Sequence, residues 1–245
     1  MSTKAAVKQY RMTAIVVGVV YLLGFVVGIG GEILFNSVLG QPNYLATLSA
    51  NSLTVAIGAA LWLMAVIGDA AHGVLMFPVL KPHGERLAVG YLAARIMDAL
   101  FIAIMVIFIL LQIPLGAEYL NAAGPDAAYL QSLGRLFTQG QLYAYQIGMS
   151  TLGISGLMLC YTLYKANLLP RWLAIWGLVG YAVIFCGMLS EIMGSGLGLA
   201  SSLPGGLWEI FVGGWLIVKG FKATVTVAEP AKPALTPDTA SLSAA

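Results

Sequence analysis

Apolar residues run through this chain in six long stretches, at approximately 12–35, 53–79, 88–113, 142–164, 170–193 and 203–221. Polar or Pro/Gly-bearing breaks separate them, among them Gly40-Gln41-Pro42-Asn43, Lys81-Pro82-His83-Gly84 and Pro114-Leu115-Gly116. Each stretch reaches or approaches the roughly 20 residues that a helix needs to cross the hydrocarbon core of a bilayer. Backbone N–H and C=O groups at that depth find no water, so the chain must bond to itself, which favours helices. The pattern predicts an all-α fold: a six-transmembrane-helix bundle from residue 12 to residue 221, with a short segment 1–11 before it. The tail 222–245 is rich in Ala, Pro and Thr and reads as disordered.

Composition agrees with the pattern. Of 245 residues, 60% are hydrophobic and 9% charged, against about 25% charged in a soluble domain. A soluble reading is excluded on that ground. Basic residues also alternate along the chain. Lys4, Lys8 and Arg11 precede the first span, Lys81 and Arg86 join the second to the third, Lys165 and Arg171 join the fourth to the fifth, and Lys219, Lys222 and Lys232 follow the last. The opposite side has only Arg135, so the positive-inside rule places both the N and C termini in the cytoplasm. The net charge of +2, distributed this way, gives no reason to expect nucleic-acid binding. The run Met12–Leu34 is too long for a signal-peptide core and lacks a convincing cleavage site, so it reads as a retained span. Between residues 115 and 140, Tyr119, Leu120, Tyr129, Leu130, Leu133, Leu136 and Phe137 outline an amphipathic helix lying on the outer face or covering a cavity.

Candidate chemistry lies in ionisable residues inside the spans: Glu32, Asp69, His72, Arg95, Asp98, Glu191 and Glu209. Such groups are costly in hydrocarbon unless they face protein or water and find a partner. Asp69 and His72 share a helix face, as do Arg95 and Asp98, because each pair is three residues apart. The short link Lys81–Leu87 makes their helices antiparallel neighbours, so the four groups converge, with Arg95 paired to Asp69 or Asp98 and His72 completing the network. Glu32, Glu191 and Glu209 all fall toward the outer side and form a second cluster if spans one, five and six pack together. Close carboxylates cannot all stay ionised cheaply: one takes a proton, binds a cation or meets a base. Tyr143, Tyr145, Gln146, Ser150, Thr151 and Ser155 add polarity to the fourth span, and the Gly24–Gly28 spacing permits close helix contact. Cys160 and Cys186 form no disulfide framework and no paired metal-binding spacing.

Several segments together resemble one family. These are Tyr21-Leu-Leu with Gly30-Gly31-Glu32, Asp69 ahead of Phe77-Pro78-Val79-Leu80, and Tyr91-Leu-Ala-Ala-Arg95 with Asp98. Leu169-Pro-Arg-Trp-Leu-Ala-Ile-Trp-Gly177, Leu203-Pro-Gly-Gly-Leu-Trp-Glu209 and Trp215-Leu-Ile-Val-Lys219-Gly-Phe221 complete the set. From about Arg11 to Phe221 the chain resembles the bacterial multi-pass membrane-protein family known as domain of unknown function 4386. The resemblance implies the bundle fold, a bacterial cytoplasmic (inner) membrane location and weight on Glu32, Arg95, Asp98, Glu191 and Glu209. The family often carries Glu where this chain has Asp98, a change that alters the carboxylate's reach towards Arg95. No activity comes with the resemblance.

Three functions fit these residues. A polar site in the bundle would bind or transport a small solute, lipid or ion, with the carboxylates coupling it to protons. An intramembrane hydrolase or other enzyme would use Asp69 and Asp98 as acid and base, His72 as a proton carrier and Arg95 to hold an anion. A structural or assembly protein would use the charges to specify helix packing. The lipid bilayer is a partner in each, and a homo-oligomer fits all three. Neither a metal nor an organic cofactor is identified by sequence.

Overall fold

The computed structural model describes residues 3–222, and no side chain before Tyr10. The tail expected to be disordered lies outside the described residues from residue 223 onward. Among the described residues the helices are α1 (Thr3–Leu39), α2 (Tyr44–Leu48), α3 (Ser52–Leu80), α4 (Glu85–Tyr119), α5 (Pro125–Lys165), α6 (Arg171–Ile192) and α7 (Gly198–Val218). The six long helices close into a ring in which α1 packs on α3, α3 on α4, α4 on α5, α5 on α6, α6 on α7 and α7 back on α1. Large apolar side chains such as Leu23, Val26, Ile67, Leu100, Val179 and Leu207 point outward and exposed. In water that surface would be a liability; against lipid it is the expected one.

Five helical stretches are long and apolar enough to cross a membrane: Tyr10–Leu39, Ser52–His83, Glu85–Tyr119, Pro125–Lys165 and Arg171–Ile192. The sixth expected span, α7, is not among them. Its 21 residues include Gly205, Gly206, Gly213 and Gly214 together with Ser201, Ser202, Pro204 and Glu209, which dilute its apolar character. The chain is therefore an all-α, multi-span membrane bundle with five clear spans rather than six.

The polar stretch between the third and fourth apolar runs departs from expectation. No separate helix lies across the outer face; residues from Pro125 onward are the first turns of α5, a continuous helix of 41 residues. At 1.5 Å per residue it is about 62 Å long, roughly twice the hydrocarbon thickness. Its N-terminal part and the end of α4 together hold α2. Leu45 and Leu48 of α2 are buried beside Leu115 and Leu130. Tyr44 Oη donates to Gln112 Oε1 at 2.7 Å, and Gln112 Nε2 donates to Thr138 Oγ1 at 3.1 Å.

At the opposite end, Arg11 caps α7. Its Nη1 donates to Leu216 O at 3.0 Å and its Nη2 to Ile217 O at 2.6 Å, meeting carbonyls that a helix end leaves without intrahelical partners. Near the α2 end, α1 and α3 approach backbone to backbone at Gly31 and Gly58. A Cβ on Gly31 would stand 2.7 Å from Gly58 O, and one on Gly58 2.8 Å from Gly31 O. Small residues are needed there. The expected close contact at Gly24 and Gly28 does not form: a Cβ on Gly28 would meet only the Trp62 ring, at 3.8 Å, and one on Gly24 would meet nothing within 4 Å.

Candidate functional site

The core face of α4 carries Tyr91, Arg95 and Asp98 at i, i+4 and i+7, all buried. Opposite, α3 presents Asp69 and His72. Gly73 lets the two helices close, since a Cβ there would lie 3.0 Å from Arg95 Cβ. Arg95 Nη2 meets Asp69 Oδ1 at 2.5 Å, and Nη1 meets Asp98 Oδ2 at 3.3 Å. Its Nε also faces the Asp69 carbonyl at 3.4 Å. One guanidinium thus bridges two carboxylates. The Asp98 side chain is 2% exposed and Asp69 32%, so the stronger desolvation falls on Asp98.

His72 is one turn further along α3 and does not complete that network. Its Nδ1 hydrogen-bonds the Tyr91 hydroxyl, its ring lies edge-on to Tyr21 at 4.3 Å, and its Nε2 has no hydrogen-bond partner. His72 borders a cavity of about 10 Å³, walled by Val17, Met76, Leu159, Leu163, Trp208 and Leu216 among others. That is the space of about one water molecule.

Glu209 belongs with this centre and not with the other two glutamates. It accepts a hydrogen bond from Tyr181 Oη at 2.6 Å and lies within electrostatic reach of Arg95 and Asp69. Tyr21 on α1, Asp98 on α4 and Tyr145 and Cys160 on α5 also sense its charge. Trp208, beside it, is fully buried and donates its indole N–H to Leu173 O at 2.7 Å. Glu32 is exposed and accepts a hydrogen bond from Asn36 Nδ2 at 2.7 Å. It stands eleven residues beyond Tyr21, about 16 Å along α1, and Glu191 ten residues beyond Tyr181, about 15 Å along α6. The outer three-carboxylate cluster therefore does not form. The physical reason is that α7 runs antiparallel between α1 and α6, with Gly206 facing Phe25 and Gly213 facing Tyr21. That register puts Glu209 near mid-helix, level with the Arg95 network.

Tyr181 is the participant that sequence reasoning missed, whereas Tyr21 and Tyr91 stood in the segments that carry the family resemblance without being named as site residues. Tyr91 and Arg95 share a face at four-residue spacing, which is a usable signal. Tyr181 follows Gly177 and Gly180, and its ring packs where Gly156 leaves room on α5; only the tertiary contact reveals it. Cys160 is buried and Cys186 exposed, both as free thiols. Among the described residues no group of three or more His, Cys, Asp or Glu side chains is arranged to hold a metal ion.

These features define a multi-span α-helical membrane protein whose closed ring of helices surrounds buried polar residues. The chain belongs to the family described as Domain of unknown function (DUF4386), whose model matches residues 16–220. No curated protein and no solved structure matches the chain.

Proposed function

We propose that this is a membrane protein of the bacterial cytoplasmic membrane, crossing six times with both ends cytoplasmic, whose central network binds a proton or small cation in step with binding or transport of a small solute. Counting α7 as the sixth crossing rests on its 21 residues, about 31 Å of helix, laid along both α1 and α6. The observation that carries the functional reading is the charge count: Asp69, Asp98 and Glu209 gather around the single guanidinium of Arg95. His72 is bonded to Tyr91 and offers none of these carboxylates a hydrogen bond. An interior with surplus carboxylates must hold a proton or a cation to stay near neutral. Glu209, held by Tyr181 alone among the hydrogen bonds described for its carboxylate, is the member best placed to exchange it.

The test is a count of protons exchanged per chain across a pH step, in lipid nanodiscs, for the native protein and Glu209→Gln. Loss of one exchanging proton in the variant is expected; equal counts would remove Glu209 from the reading. A structural role is the second reading, favoured by the near-filled cavity of about 10 Å³ and by the double pairing of Arg95. It predicts equal proton counts together with a loss of folded protein when Arg95 is replaced.

A further inference from the structure

Basic side chains from distant parts of the sequence meet at the end of the bundle where α6 begins and α7 stops. Arg11 of α1 reaches the last carbonyls of α7, and Lys219 follows that helix. Gly220 then takes a left-handed φ of 72°, and the chain folds back onto the turn between α5 and α6. Lys222 N donates to Leu168 O at 2.9 Å, and Lys222 Nζ to Asn167 Oδ1 at 3.2 Å. Lys165 and Arg171 flank the same turn and lie over the rings of Tyr161 and Tyr164 at 5.9 and 5.7 Å. Among the described residues none of these cations pairs with a carboxylate; the ion pairs are Lys81–Glu85 and the two of Arg95. No Asp or Glu stands on α6 before Glu191 or on α7 after Glu209. The first turn of α6 has no side-chain cap, so the positive end of its dipole adds to the charge.

Next to this corner the outer face of α6 and α7 is aromatic. Trp172 meets Phe211 at 5.6 Å and Trp215 at 6.3 Å, and Phe211 and Trp215 stack at 26°. Trp172 is 52% exposed and Phe211 44%. Trp176 and Trp208 donate their indole N–H groups to Pro204 O and Leu173 O. Those of Trp172 and Trp215 meet no acceptor among the described residues, which leaves two donors at the edge of an apolar surface. A notch adjoins the aromatic wall. Gly214 is partly exposed, and a Cβ there would meet nothing within 4 Å. It lies three residues after Phe211 and four before the exposed Val218, which puts it on the outward face of α7.

We propose that this corner binds one anionic phospholipid. Its phosphate sits among Arg171, Lys219 and Lys222, the indole N–H groups of Trp172 and Trp215 face its ester oxygens, and an acyl chain lies along Gly214 against Phe211. Charge selects this occupant: a second copy of the chain would set like charges against like, whereas a phosphodiester supplies the missing anion. Each basic residue near a membrane surface favours an anionic lipid by about fivefold. The site lies apart from the Arg95 network and does not depend on the proton reading.

Native mass spectrometry of the detergent-extracted full chain tests it, with phosphatidylglycerol and phosphatidylcholine of the same acyl chains as probes. The native protein should hold one phosphatidylglycerol about tenfold more tightly than phosphatidylcholine. Arg171→Gln combined with Lys219→Gln should lose about twentyfold in phosphatidylglycerol affinity and little for phosphatidylcholine. Gly214→Leu, for which the open notch leaves room, should weaken both lipids by the same factor. The control Lys81→Gln with Arg86→Gln removes equal charge at the turn between α3 and α4, where Lys81 already meets Glu85 at 3.1 Å. It should change phosphatidylglycerol binding by less than about twofold. Equal losses in the two double variants would mean diffuse surface charge and overturn the site. Unchanged lipid binding in Arg171→Gln with Lys219→Gln would do the same. A dimer of the native protein that Gly214→Leu splits would make this face an interface between copies and reject the lipid.

Discussion

Replacing Arg95 with Gln removes the only guanidinium from a site holding two aspartates at 2.5 and 3.3 Å. A unit charge pair at about 3 Å attracts by roughly 5 kcal/mol at an effective dielectric of about 20. Part of that is offset by the cost of keeping Arg95, 5% exposed, and Asp98, 2% exposed, away from water. Asp69, 32% exposed, is screened and contributes less. The expected net loss is about 3–5 kcal/mol, the usual result of orphaning buried charges rather than of losing a hydrogen bond. The sign of its pH dependence follows. The orphaned carboxylates are relieved by taking up protons, so the deficit should be largest in alkaline buffer and shrink as pH falls. Reversible unfolding in mixed micelles measures it. The triple variant Arg95→Gln, Asp69→Asn, Asp98→Asn should recover most of the loss, because it removes both orphaned charges. A loss under about 1 kcal/mol for Arg95→Gln, or one that ignores pH, would refute the reasoning, since that is how an exposed ion pair behaves.

Tyr91→Phe should leave His72 Nδ1 without its partner and destabilise by about 1–3 kcal/mol, read by the same unfolding assay; a neutral result would mean that the imidazole finds another partner. Gly31→Leu should force α1 and α3 apart where their backbones touch, lowering the yield of folded, monodisperse protein. Gly24→Leu, seven residues away on the same helix, should be tolerated much better.

The charged centre was legible in part. Three-residue spacing and a tight Lys81–Gly84 turn were enough to bring Asp69, Arg95 and Asp98 together, because both act locally on neighbouring helices. The side chain of His72 was not placed correctly: helical periodicity gives a face, but one turn of displacement moved it from Arg95 to Tyr91. Glu209 was assigned to the wrong group because depth along a span does not say which residue across the ring it meets. That depends on the α1–α7 register, set by glycines at 18, 206 and 213. The long α5 was missed because a polar stretch between apolar runs reads as a separate surface helix, whereas Pro125 and Asp126 suit the first turn of one that continues into the span. The glycines of α7 support close packing while diluting its apolar character, so the sixth expected span is not among the clear ones.

The central claim is a surplus of carboxylates over bases within the ring of helices, and proton counting in nanodiscs tests it most directly. On stepping from mildly acidic to mildly alkaline buffer, the native protein should release one proton more per chain than Glu209→Gln, with both remaining folded. Equal release from the two proteins would contradict the account and leave the network as a device for helix packing.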